Sequence, residues 1–254
     1  MRNRLKSIIA IVFAVVMCEN VCAQETQIDS AKFEFLLGVE SYIEQDYIRA
    51  AYYFTKSAKQ GLVDAQYMLG VCYAEGDGVV QDYKQAVYWY TKAAEQGLAE
   101  AQYNLALKYA NGEGVVQDYK QAVYWAKKAA EQGIAEAQYI LGVCYYEGGS
   151  GLPKNYKQAV YWYTKAAEQG HAEAQYSLGL CYVNGEGVAQ DYKKAVYWFE
   201  KAAEQGLADA QYSLGACYYN GYGVTGYKQA VYWLKKAAKQ GYQSAIDILN
   251  ELGE

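Results

Sequence analysis

The sequence predicts an all-α fold, an α-solenoid of stacked antiparallel helix pairs, on three observations. Trp89, Trp125, Trp162, Trp198 and Trp233 are spaced by 36, 37, 36 and 35 residues. Gly61, Gly97, Gly133, Gly170, Gly206 and Gly241 keep the same step. Between the glycines apolar residues follow helical spacing, as Ala65, Leu69, Cys72 and Tyr73 do at i, i+4, i+7 and i+8. Periods of this size mark solenoids, in which each unit buries its apolar face only against its neighbours.

Taken in order, residues 1–23 have the layout of a secretory signal peptide. Arg2, Arg4 and Lys6 precede an apolar run from Ile8 to Met17, and Val21-Cys22-Ala23 supplies small residues before Gln24. The run is too short to span a bilayer stably. An uncleaved anchor and a lipoprotein signal acylated at Cys18 or Cys22 are alternatives, although Met17 and Val21 are poor residues ahead of a lipidated cysteine. Cleavage after Ala23 removes three basic residues and Glu19 and takes the net charge from −5 to −7. The expectation is export through the Sec pathway to the periplasm or beyond, with no further membrane segment.

A short linker, 24–31, leads to a degenerate unit at 32–61. Five full units follow at 62–97, 98–133, 134–170, 171–206 and 207–241, and 242–254 forms a capping helix. The first helix of each unit, as in 64–75, stops at paired glycines such as Gly76 and Gly78, which take positive φ. The second starts at a capping residue, Asp82, Asp118 or Asn155, with Gln85, Gln121 or Gln158 three positions on, the pattern of a capping box. Acidic residues Asp64, Glu100, Glu136, Glu173 and Asp209 open the first helices, where they suit the helix dipole.

Units containing Ala101-Gln102-Tyr103, Leu141-Gly142, Gly185-Glu186-Gly187-Val188 and Lys165-Ala166-Ala167-Glu168-Gln169-Gly170 resemble the Sel1-like repeat, a relative of the tetratricopeptide repeat. The resemblance covers nearly all of the chain after residue 23. It implies a right-handed superhelix whose first helices line a concave surface, and a scaffold or adaptor role in protein–protein interaction. Fold alone does not name the partner.

Departures from the pattern fall mostly in loops. The third unit has Gly148-Gly149-Ser150-Gly151-Leu152-Pro153, with the only proline, and the fifth has Gly226 in place of an Asp or Asn cap. Lys108 stands in a column otherwise held by cysteine, so it must reach water or a carboxylate. Cys72, Cys144, Cys181 and Cys217 share one column of the first helix. Stacked helices lie roughly 8–10 Å apart, too far for a disulfide, so four buried free thiols are predicted. A cysteine-rich branch of the resembled family bridges its two helices within each repeat and is associated with β-lactam binding and weak hydrolysis. This chain lacks those pairs and also Ser-x-x-Lys, Ser-Asp-Asn and Lys-Thr-Gly.

Composition points the same way. A net charge of −5 and no visible basic patch argue against nucleic acid as a partner. The single histidine, His171, replaces a leucine or isoleucine of sister units and reads as a surface substitution; no metal spacing, cofactor motif or catalytic constellation is present. The paired glycines lack the Gly-Lys-Ser/Thr of a phosphate loop.

What remains is tyrosine, 30 of 254 residues. With Leu69 at the centre of the buried face, about 100° per residue turns Tyr67 and Val71 outward and Tyr73 inward. On the second helix the same arithmetic turns Tyr83 and Tyr90 inward and Tyr88 outward. If first helices line the concave wall, that wall carries Tyr67, Tyr103, Tyr139, Tyr176 and Tyr212 beside Glu100, Glu136 and Glu173, with Tyr146 and Tyr219 at a column that varies between units. Such a wall suits a protein or peptide partner of basic character. Inter-repeat packing also demands a period-locked tyrosine, and both readings stay open. Self-association, and a binder or weak hydrolase of β-lactams or cell-wall fragments, are the alternatives.

Overall fold

The computed structural model describes residues 30–149 and 152–254; the expected signal peptide, with Cys18 and Cys22, and the expected linker up to Asp29 lie outside the described residues. The chain divides into two compact units, 1–118 and 119–254. In the first, α1 (Ser30–Ile43), α2 (Tyr47–Lys59), α3 (Val63–Glu75), α4 (Tyr83–Glu95) and α5 (Ala99–Asn111) stack in sequence. In the second, α6 (Tyr119–Glu131), α7 (Ala135–Glu147), α8 (Tyr156–Glu168), α9 (Ala172–Asn184), α10 (Tyr192–Glu204), α11 (Ala208–Asn220), α12 (Tyr227–Lys239) and α13 (Gln243–Leu252) do the same. Each helix packs on the one before it and the one after it, which is the solenoid arrangement within each unit.

Local chemistry sets the boundaries. Gly76 ends α3 in the left-handed region at φ 83°, and the amides of Gly76 and Asp77 both donate to the Cys72 carbonyl. Asp82 caps α4 by accepting from the amides of Lys84 and Gln85. The reciprocal half of the expected capping box is replaced: the Asp82 N–H donates to the Tyr73 carbonyl at 2.9 Å. Asp118, Asn155 and Asp191 repeat this tie to Tyr109, Tyr145 and Tyr182. The backbone carbonyl of the preceding helix takes the amide and ties the loop to that helix.

The first helices α3 and α7 are apolar all round, whereas the second helices are amphipathic. That corrects the outward placement of Val71, which is buried. Leu69, Leu105, Leu141, Leu178 and Leu214 fill the centre of each pair. Helical glycines let a flat side chain of the second helix lie against the first: a Cβ on Gly70 would sit 2.6 Å from the Tyr90 ring, and on Gly142 2.5 Å from Tyr163.

Two ties between repeats were not visible as such in the sequence. A Cβ on Gly187 would lie 2.3 Å from the Tyr156 carbonyl oxygen, and one on Gly114 2.3 Å from that of Tyr83, so the second loop glycine admits the backbone of the preceding repeat. Buried Gln175 donates to the Ala167 carbonyl at the end of α8 and accepts from Gln205 at the end of α10. Gln66 with Ala58 and Gln96, Gln138 with Ala130 and Gln169, and Gln211 with Ala203 and Gln240 form the same clasp. It gives a second donor to carbonyls at a helix C-terminus that also accept from the turn-glycine amides of Gly61, Gly133, Gly170 and Gly206.

Candidate partner-binding faces

The first-helix face does not expose its tyrosines in the way the helical angle predicts. Tyr67 is half-buried, tilted on Tyr90 with ring centroids 6.0 Å apart, and its hydroxyl accepts from Asn104 in the next repeat. Tyr103 is also half-buried. In the second unit Tyr139 lies between Tyr163 and His171, stacked on the imidazole at 4.8 Å. Tyr176 packs on Phe199 at 5.7 Å, and Tyr212 stacks on Tyr242 at 4.7 Å. The hydroxyls of Tyr139 and Tyr176 bond to Ser177 and Ser213 one repeat on, and burial raises both phenols above their ordinary pKa. Each ring therefore has one edge in the stack and one toward solvent; repeat stacking claims a position that angle alone assigns to the surface.

Carboxylates surround these rings. Asp64 and Glu100 adjoin one another, and burial followed by the Glu100 charge raises the Asp64 carboxyl above the usual range. Glu136 is half-buried and Glu173 exposed. Glu173 lies 3.2 Å from His171 Nδ1, and its charge bears on Tyr139; Asp209 bonds the Tyr242 hydroxyl, and its charge bears on Tyr176. His171 thus serves locally: it caps α9 by accepting from the Ala174 amide.

Tyr146 and Tyr219, paired in the sequence, separate in the structure. Tyr146 packs edge-on against Tyr156 at 5.1 Å and donates its hydroxyl to Glu186 Oε2 at 2.7 Å, latching the next repeat's loop. The bond raises the Tyr146 phenol and lowers the Glu186 carboxyl. Tyr42 does the same with Asp77 at 2.6 Å. Where that column holds Ala74, the loop acid Glu113 pairs with Lys108 instead, which also sits over the Tyr83 ring at 4.3 Å. Tyr219 is 45% exposed and borders a cavity of about 410 Å³ with Tyr227 and Leu252.

The second-helix face corrects another expectation. Tyr83, Tyr119 and Tyr227, each the first residue of its helix, are exposed rather than inward. Tyr88, Tyr124, Tyr161, Tyr197 and Tyr232 do face outward, each close to half exposed, edge-on to the adjacent tryptophan and beneath the lysine four residues on.

The four cysteines of the described residues are free thiols; Cys72, Cys181 and Cys217 are buried, and Cys144, expected to be buried, is half-buried. Burial pushes Cys72 and Cys181 up to about 12 and Cys217 to about 11, which keeps them protonated and poorly nucleophilic near neutral pH. Among the described residues no cluster of His, Cys, Asp and Glu could hold a metal ion, and no helix is long and apolar enough to cross a membrane.

Stacked helix pairs with two repeated faces define the class: a helical-repeat solenoid. The Sel1 repeat pattern matches residues 31–62, 63–98, 99–134, 135–171, 172–207 and 208–242, and the chain belongs to the Sel1 repeat family. It is similar to the crystal structure of a protective antigen present in uropathogenic Escherichia coli strains, at 39% identity and TM-score 0.80, over 85% of this chain and 47% of the other. This chain therefore spans about half the length of that antigen. It is also similar to a Sel1 repeat protein from Oxalobacter formigenes, at 38% identity and TM-score 0.77, over 87% of this chain and 88% of the other. No curated protein matches it. Sel1 repeat proteins generally mediate protein–protein interaction and are typically non-catalytic.

Proposed function

We propose that the chain is an exported, non-enzymatic scaffold that takes a protein or peptide of basic character on its first-helix face. The observation that carries this reading is the placement of Glu173 and Asp209 beside the half-exposed rings of Tyr139 and Tyr176. Rigid rings supply contact area at low entropic cost, and the flanking carboxylates supply charge that steers a basic partner. The protonated thiols add no nucleophile to this face. The layout of residues 1–23 supports export to the periplasm or beyond.

The test is a selection of peptides from a random display library against the purified chain, repeated with Glu173→Lys/Asp209→Lys. Enrichment of Lys- and Arg-containing peptides that lose binding to the reversed variant is the expected result. Peptides that bind both proteins equally would overturn the assignment of the face.

A further inference from the structure

The second helices gather positive charge in a protein that is acidic overall. Of the 20 Lys and Arg residues between 30 and 254, 17 lie on α2, α4, α6, α8, α10 and α12, together with only five acidic residues. These lysines are scattered along the sequence; within each compact unit the stack repeats a lysine-bearing helix once per helix pair. In the unit 119–254 the contrast is sharpest. Helices α6, α8, α10 and α12 carry 12 lysines against four glutamates, whereas α7, α9 and α11 carry four acids and no base.

Helix stability does not account for these lysines. Lys84, Lys120, Lys157, Lys193 and Lys228 occupy the second position of their helices, and no acid stands in the first turn of any of the five. A cation there opposes the helix dipole, at about 0.3–1 kcal/mol each. Lys157, Lys193 and Lys228 are exposed and, among the described residues, make no ion pair. A turn further on, Tyr161, Tyr197 and Tyr232 add half-exposed rings under Lys165, Lys201 and Lys236.

We propose that this lysine–tyrosine ladder docks the acidic first-helix face of a second copy of the chain. The inference rests on the reading of the first-helix face as a docking surface and names an occupant for it. Two arguments single out a second copy. The faces are opposite in charge, and along the unit both repeat once per helix pair. An unrelated acidic partner shares the first property and has no reason to share the second. Because different faces meet, the contact is heterologous and leaves one of each face unused, so association continues beyond a dimer unless the rotation closes a ring.

Sedimentation velocity on the purified chain tests this with two charge-reversed variants. One is Lys157→Glu/Lys193→Glu/Lys228→Glu; the other is Glu147→Lys/Glu173→Lys/Asp209→Lys. The wild type is expected to associate with rising concentration at about 0.05 M salt and to dissociate at about 1 M, where charges are screened within roughly 3 Å. Each variant alone should stay monomeric. Mixed in equal amounts they should associate again, because one then presents two basic faces and the other two acidic ones. The lysine variant should also melt no lower than wild type, since its glutamates favour the helix N-terminus. A wild type that remains monomeric at low salt, or a mixture that fails to associate, overturns the proposal. Binding of the wild type to anionic phosphatidylglycerol vesicles, lost in the lysine variant while the chain stays monomeric, also overturns it and reassigns the ladder to a lipid surface. If peptide selection on the first-helix face succeeds while self-association fails, the second copy is wrong and the face stands.

Discussion

Gly170 and Gly187 belong to adjoining repeats of the compact unit 119–254 and share a left-handed backbone, at φ 91° and 75°. Alanine at either position incurs the same conformational cost, about 1–2 kcal/mol. Their surroundings differ: nothing lies within 4 Å of a Cβ on Gly170, whereas one on Gly187 would sit 2.3 Å from the Tyr156 carbonyl oxygen and 2.5 Å from its carbon. That overlap is with backbone, so no rotamer relieves it, and the first turn of α8 must move off the loop at an overpacking cost of roughly 1–3 kcal/mol. Gly170→Ala should therefore lower stability by about 1–2 kcal/mol and Gly187→Ala by about 2–5 kcal/mol. Urea denaturation followed by far-ultraviolet circular dichroism reads the difference. Equal losses in the two variants would refute the close approach of repeats as the reason for the second glycine.

Further expectations follow from the same contacts. Gln175→Leu removes one of the two donors to the Ala167 carbonyl, which keeps the Gly170 amide, and should cost about 0.5–1.5 kcal/mol, read as a shift of the urea midpoint at unchanged slope. Tyr146→Phe removes the hydrogen bond to Glu186 and should lower stability by about 1 kcal/mol at neutral pH. Because that bond lowers the Glu186 carboxyl from its ordinary 4.5, its contribution is complete above 4.5 and disappears as pH falls through the depressed value. Thermal melts of both proteins should therefore converge in acid, and a difference that persists there would contradict the latch. Alkylation mapped by mass spectrometry should modify Cys144 first and reach Cys72 and Cys181 only in denaturant.

The repeat was legible because a solenoid writes its period directly into the sequence: each tryptophan, turn glycine and buried leucine meets the same neighbours one step later. Contacts inside one helix pair, such as outward Tyr88 and inward Tyr90, followed from helical angle. Contacts between repeats did not. The angle rule assumes one buried side, and α3 has several, so Val71 and Tyr67 were turned to solvent although Val71 is buried and Tyr67 bonds Asn104 of the next repeat. The glutamine of Ala101-Gln102-Tyr103 was visible as a motif, but its role depends on the end of a different helix, here the Ala94 carbonyl. The lysine ladder was equally hidden, since its members are dozens of residues apart and only the stacking brings their helices together.

The account's central claim is that a partner is held on the acidic, tyrosine-bearing first helices. Site-specific photocrosslinking tests it most directly, with benzoylphenylalanine placed at Glu173 on α9 or at Gln229 on the outer side of α12 and a selected basic peptide as the probe. Crosslinks from position 173, competed by unlabelled peptide, and none above background from position 229 are the predicted result. Competed crosslinks from position 229 alone would contradict it.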